Sequence, residues 1–339
     1  MRLVWIDYLK AVGIFFVVYG HTMGVLPPLE KWIYSFHMPL FFLVSGFLMK
    51  PARFGNGFKT FFIRATKSII PPYIIFSLIC YVFWLVIMRN MGTDAGEGGS
   101  VIPPLLAILY GTASHDTIQL IPIVLWFFPC LYLAQLMTYF VFKPGKLYVS
   151  IVLSGVLLAI GLLIPRNIVL PFELEDALVA QVFIMLGFLA KKKEIVDYVF
   201  KHKPYIWAII LLAVGTSIAH LNGRVDMRSS WYGNFGYFLC SSISITLGLA
   251  ALFSKLPRCR LPELISNNTI IIFPLHFLVF SCFNAIYVYI FHDITIRAWA
   301  SVSFVSAIAN ILLIISVSPI IKKVLPWAYG IKETVKGKR

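Results

Sequence analysis

Ten apolar stretches run through this chain, and the loops between them alternate between basic and acidic. A bilayer core about 30 Å thick takes about 20 apolar residues to cross as a helix. The stretches therefore read as membrane spans at 8–27, 32–49, 69–90, 122–142, 148–165, 176–190, 205–221, 235–254, 268–291 and 298–321. Residues 103–111 suit either a loop or a re-entrant or interfacial helix. Lipid offers no partner for a bare backbone N–H or C=O, so the spans are expected to be helices. Barrel strands alternate polar and apolar residues, and these long unbroken apolar runs exclude them. The fold class expected is all-α: a polytopic integral membrane protein with a single membrane-embedded domain over residues 1–339. Hydrophobic residues make up 60% of the sequence, far from the composition of a soluble domain.

The loops orient the spans. One set carries Arg2, then Lys50, Arg53, Lys59, Arg64 and Lys67, and continues through Lys143 and Lys146, Lys191 to Lys203, and Lys255 to Arg260. With the tail from Lys322 to Arg339 it holds 22 of the 29 basic residues. The opposite set has only Lys31, Arg89, Arg166, Arg224, Arg228 and Arg297, with nine of the 14 acids, among them Glu30, Asp94, Glu97, Glu173, Glu175 and Asp176. Basic loops stay cytoplasmic, so both termini are expected inside. The net charge of +15 is then the surplus that orients the protein and attracts anionic lipid. It does not indicate nucleic-acid binding, because the basic residues are scattered over five loops and a tail.

Several chemistries leave no trace. The first span carries Lys10 and lacks a small-x-small cleavage site, so it is not a cleaved leader. The five cysteines, at 80, 130, 240, 259 and 282, have no metal-ligand spacing, and no His-Glu-x-x-His occurs. No metal is expected. Neither a phosphate-binding glycine loop nor a G-x-S-x-G elbow is present. The longest loop, 91–121, is glycine-rich at 92–99 and is expected to be mobile.

Ionisable residues inside spans are expensive and mark internal cavities. In the first span Asp7 and Lys10 are three apart and share a helix face. Lys10 and His21 are eleven apart, about 20° beyond three full turns, with a rise of about 16.5 Å. They lie on one face, with Lys10 near the cytoplasm and His21 in the outer half. Taken alone, Lys10 also suits snorkelling to the headgroups, and His21 suits packing. His37 lies as far past the turn near residue 29 as His21 lies before it, so a hairpin brings two imidazoles to one depth. An interfacial His37 meeting water is the alternative. Pro39 is expected to kink the second span, and Ser45-Gly46 to allow close helix approach. His276 falls near mid-depth, with functional and packing readings evenly balanced. Arg64 and Lys67, just before a span, suit a phosphate-rich donor or ordinary anchoring. Arg224, Asp226 and Arg228 alternate in the 222–234 loop and suit a hydroxyl-rich or acidic acceptor, or plain solvation.

These residues resemble the acyltransferase-3 membrane family, closest to its fucose 4-O-acetylase-like branch. The likeness lies in Ile6-Asp7-Tyr8-Leu9-Lys10 with His21, and in the run Phe36-His37-Met38-Pro39 through Phe47. Weaker echoes are Leu125-Trp126-Phe127-Phe128, Met185-Leu186-Gly187-Phe188, Gly233-Asn234 and Asn268 to His276. The resemblance implies O-acyl transfer from cytoplasmic acetyl-CoA to a sugar hydroxyl of an envelope or secreted polysaccharide, in a bacterial cytoplasmic (inner) membrane. It maps the family's basic residue and histidine onto Lys10 and His21. Lys10 replaces the commoner arginine and loses its bidentate fork. Arg64 and Lys67 stand nearest to an Arg-x-Arg pair of longer members.

The expected mechanism docks CoA phosphates near Arg64, Lys67 and Lys10. It brings the thioester to His21, which, oriented by His37, acts as general base on the acceptor hydroxyl or carries the acetyl transiently, with Asp7 beside Lys10. Trp126, Arg224, Asp226, Arg228 and His276 are candidates for holding the acceptor. A glycan or solute exporter and a non-catalytic member of a polysaccharide-synthesis complex are the rival readings.

Overall fold

The computed structural model describes residues 3–50, 52–89, 100–112, 123–143 and 145–329. Arg2, segment 92–99 with Asp94 and Glu97, His115 and the basic tail past residue 329 lie outside the described residues. Among the described residues every extended element is helical, and the one β-type feature is an isolated antiparallel bridge between Asp226 and Trp231. Among the described residues six helices are long and apolar enough to cross a membrane: Gly57–Met88, Val124–Phe142, Pro204–Leu221, Phe235–Phe253, Arg260–Tyr289 and Ala300–Val324. The chain has the helical make-up of a membrane protein.

Helix α1 (Val4–Gly20) runs through the middle, packed against α3 (His37–Leu48) and the later helices α11 (Phe235–Phe253), α12 (Arg260–Tyr289) and α13 (Ala300–Val324). Between them in sequence lie α2 (Pro27–Tyr34), α4 (Gly57–Phe83), α5 (Ile102–Tyr110), α6 (Phe127–Phe142), α7 (Leu147–Leu163), α8 (Leu174–Lys192), α9 (Ile195–Lys201) and α10 (Pro204–Leu221). Helix α8 packs on α3, α6 and α7, helix α4 on α6 and α12, and α10 pairs with α11.

The first hairpin departs from expectation. Helix α1 stops at Gly20, not near residue 27, and His21 is its C-cap. The second span is divided, because Phe36 at φ −143° interrupts the chain between α2 and α3. Pro39 is therefore the third residue of α3, where its missing N–H has no intrahelical partner to lose. The bend lies at Phe36 rather than at Pro39.

Helix α4 begins at Gly57, so Arg64 and Lys67 ride on a helix and not in a loop. Nothing between Gly57 and Pro71 breaks a helix, and the basic residues are good helix formers. The 103–111 segment is a helix closed by Gly111 at φ +76°, a left-handed cap that glycine adopts without strain. It is tied to α4 by Tyr73, whose hydroxyl donates to Ile108 O at 2.8 Å.

Gly46 on α3 and Gly187 on α8 face each other's backbones. A Cβ on Gly46 would collide with Ile184 O, and one on Gly187 with Leu43 O. The close approach expected from Ser45-Gly46 is made here, and it needs a glycine from both helices.

Candidate active site

Helices α1 and α12 run parallel, and two contacts fix their seam. Lys10 Nζ donates to Ser266 O at 2.7 Å. Eleven residues on, the His21 ring meets His276 and Phe277, each with ring centroids 5.2 Å away. Ten residues of α12 separate Ser266 from His276, a rise of about 15 Å that matches the span from Lys10 to His21. Lys10 and His21 thus share the face of α1 that looks onto α12. Asp7, on the same helix, is buried.

The histidines have a common hydrogen-bond pattern. His21 Nδ1 lies 2.6 Å from Val17 O, His37 Nδ1 2.8 Å from Ile33 O, and His276 Nδ1 2.6 Å from Phe273 O. A carbonyl can only accept, so in the neutral ring Nδ1 carries the hydrogen. The basic lone pair then sits on Nε2, directed away from each histidine's own helix turn.

His21 and His37 open into one pocket of about 160 Å³. Trp126, Asp226 and Arg228 line it with them, joined by Tyr34, Met38, Phe273 and Phe277. Five residues singled out in the sequence therefore meet here, drawn from α1, α3, the turn before α6 and the 222–234 segment. His276 stands behind His21, fully buried, and its Nε2 is without a hydrogen-bond partner among the described residues. Arg224 does not line the pocket. It is 70% exposed and lies 3.8 Å from the Asp226 carboxylate, which is also 3.6 Å from Arg228.

The wall carrying Asp226 and Arg228 is a fastened hairpin. Asp226 and Trp231 exchange backbone hydrogen bonds of 2.7 and 2.9 Å. Asn222 closes the base, its Oδ1 accepting from Gly223 N and Asn234 N while Nδ2 donates to Tyr232 O at 3.1 Å. Asp176, buried in the first turn of α8, accepts from the Tyr232 hydroxyl at 2.5 Å and the Ser230 hydroxyl at 2.8 Å. Burial, with the Asp176 carboxylate beside it, raises the Tyr232 hydroxyl well above its ordinary pKa, so it remains a donor.

A second cavity of about 270 Å³ lies along the same seam, between α1, α4, α6 and α12. Its lining is aromatic and aliphatic with three polar side chains, Ser68, Gln135 and Thr269. Phe273 lines both cavities, and it packs against Phe127 and Phe128 with ring centroids 5.3 and 5.7 Å away. Helical spacing places the basic residues at the far end. Lys10 precedes the lining residue Ile14 by one turn, Arg64 precedes Ser68 by one turn, and Ser266 precedes Thr269 by three residues. Arg64 is half-buried and Lys67 exposed. The structure brings neither of them to the histidine pocket.

The whole bundle, from α1 to α13, corresponds to a known type of domain. The sequence matches the acyltransferase-3 family, described as an acyltransferase domain, over residues 3–320. The chain belongs to the acyltransferase-3 family. Comparison with curated proteins and with solved structures returns no match. Within this acyltransferase, no group of three or more His, Cys, Asp or Glu residues is placed to hold a metal among the described residues.

Three features of the acyltransferase site escaped the sequence reading. Phe273 is one aromatic among many in its span, and no spacing rule marks it. Asp176 falls among the loop acids by charge alone, although an acid in the first turn of an apolar helix is a recognisable signal. Tyr34 ends α2 and meets His37 at the start of α3 across the break at Phe36, with ring centroids 5.0 Å apart, a contact that continuous-helix spacing does not describe.

Proposed function

We propose that this protein is a membrane O-acyltransferase that moves an acyl group, acetyl in the first instance, from acyl-CoA to a hydroxyl of an envelope or secreted polysaccharide. In this reading ten spans cross the membrane, the six long helices together with α1, the divided pair α2–α3, α7 and α8, and both termini face the cytoplasm of a bacterial cell. The Lys10 end of the seam then faces inward and the His21 pocket outward. The likeness to fucose 4-O-acetylase-like proteins points to a sugar acceptor.

The observation that carries the reading is His21, with Nδ1 held by Val17 O, in a pocket that shares Phe273 with an apolar cavity reaching toward Lys10. The donor's phosphates would sit near Arg64, Lys67 and Lys10, where guanidinium and ammonium groups suit them. The thin pantetheine arm would occupy the inner cavity, its amides within reach of Ser68, Gln135 and Thr269. The acceptor hydroxyl enters the outer pocket. His21 Nε2 takes the hydroxyl proton as the oxygen attacks the thioester carbonyl. Arg228 is the cation that the pocket offers the developing oxyanion. The carbon–sulfur bond breaks, the thiolate takes the proton from the imidazolium, and CoA and the ester leave. His37 and His276 flank this imidazole, and Trp126 and Asp226 shape the acceptor side.

Mass analysis of the surface glycans of a bacterial host with and without this protein tests the reading. An acyl mass present on a sugar only when the protein is made supports it. Glycans identical in acylation but altered in amount would favour export instead.

A further inference from the structure

A cation-rich surface adjoins the outer pocket at Asp226, which lines the pocket and lies 3.8 Å from Arg224. Trp231, bridged to Asp226 through the backbone, stands beside it and is 38% exposed. Arg166, from the turn after α7, lies over the Trp231 ring with its guanidinium carbon 3.9 Å from the centroid, and Arg224 lies 5.6 Å from the same ring. Residues 65 and seven positions from Trp231 in sequence are gathered on one indole.

We propose that Arg166, Trp231 and Arg224 form a subsite for an anionic group, a carboxylate or phosphate, carried by the acceptor. This deepens the acyl-transfer reading and rests on it. A guanidinium stacked on an indole uses its flat face, which leaves its in-plane N–H donors for a ligand in the fork geometry that carboxylate and phosphate match. The 222–234 segment carries Arg224 and Arg228 against one acid of its own, Asp226, Arg166 adds a third cation, and the neighbouring acid Asp176 is buried and engaged by the Ser230 and Tyr232 hydroxyls. In the topology proposed above, outward loops are poor in cations, yet three of the five arginines assigned to that side, Arg166, Arg224 and Arg228, collect here. Scattered solvated charges would not converge in this way.

The subsite is also held in place before any ligand arrives. Asn222 fixes the base of the hairpin, and the buried Asp176 fixes Ser230 and Tyr232 on either side of Trp231. Ordering cost is therefore low, which favours binding. Asp226 lines the His21 pocket and is paired through its backbone with Trp231, so an acidic residue of a glycan held at the subsite would seat its neighbour's hydroxyl on the pocket side of Asp226.

The test uses the full-length protein in phosphatidylcholine vesicles with labelled acetyl-CoA. The acceptors are a glucuronate-containing disaccharide and its carboxyl-reduced neutral counterpart. The expected result is a kcat/KM preference of about tenfold or more for the acidic acceptor, the worth of one charge-assisted contact. In Arg166→Gln/Arg224→Gln that ratio falls to within about twofold through KM for the acidic sugar, with the total bound protein unchanged. Equal rates with the two acceptors in the wild type would overturn the subsite. So would a rate that follows added phosphatidylglycerol and ignores the acceptor's charge, because the arginines would then serve a lipid phosphate. Acyl transfer to neither acceptor, with no CoA released, would overturn the acyl-transfer reading itself and the subsite along with it.

Discussion

His21 on α1 and His276 on α12 stand with ring centroids 5.2 Å apart, each with Nδ1 committed to a carbonyl of its own helix. Only His21 lines the outer pocket, while His276 is fully buried behind it. The two imidazoles therefore have unequal parts in the proposed reaction. His21→Ala is expected to lower kcat by about 10²–10⁴-fold, the usual contribution of a general base. His276→Gln, which keeps an amide against His21, is expected to cost far less. Steady-state release of CoA by the two purified variants measures the difference, and equal losses would mean that the pair acts as one unit.

Phe273 separates the inner cavity from the reaction pocket. Phe273→Ala is expected to join them and admit water to the thioester, since a closed site protects reactive intermediates from hydrolysis. Acetyl-CoA hydrolysis without acceptor would then rise several-fold over the wild type. No rise, in a variant that still transfers acetyl groups, would show that another group separates the two spaces.

Asp176 accepts two hydroxyl hydrogen bonds from the acceptor-side hairpin while buried at the start of α8. Asp176→Ala leaves the Tyr232 and Ser230 hydroxyls without that partner, at about 1–3 kcal/mol for a buried group. The account expects acceptor KM to rise about tenfold or more on loosening of the hairpin, with the KM for acetyl-CoA little changed. Asp176→Asn retains an accepting oxygen and should recover most of the loss. A uniform fall in kcat for both variants would contradict a positioning role.

Gly46 and Gly187 let α3 and α8 touch backbone to backbone. Gly187→Leu is expected to push these helices apart and lower the midpoint of thermal unfolding in detergent by several degrees, because the obstructing atoms are main chain and cannot move aside. Gly155, with open space around its Cα, is the control: Gly155→Ala should leave the midpoint near that of the wild type.

Much of this organisation was legible in the sequence because membrane helices obey simple rules. Apolar length marked the six long helices, and helical spacing placed Lys10 and His21 on one face, which the contacts of Ser266 and His276 on α12 match from outside that helix. The near-equal distances of His21 and His37 from the turn near residue 29 put them at one level, and they share a pocket. What sequence could not supply was local backbone geometry. Hydropathy does not register the break at Phe36, since the residues on either side are equally apolar. It stops α4 at the last basic residue, although lysine and arginine continue a helix as well as leucine does. The Arg166–Trp231 stack and the Asp176 tether join residues more than fifty positions apart, and no periodicity connects them.

The central claim is that His21 accepts the acceptor's proton where a donor route from the Lys10 end meets a pocket on the opposite face. Sided vesicles test it most directly, with acyl-labelled acetyl-CoA supplied only at the face bearing Lys10 and a sugar acceptor only at the other. The account predicts one ester formed on the sugar for each CoA released at the donor face, and neither product from His21→Ala. Sugar crossing the membrane without CoA release, or full ester formation by His21→Ala, would contradict it.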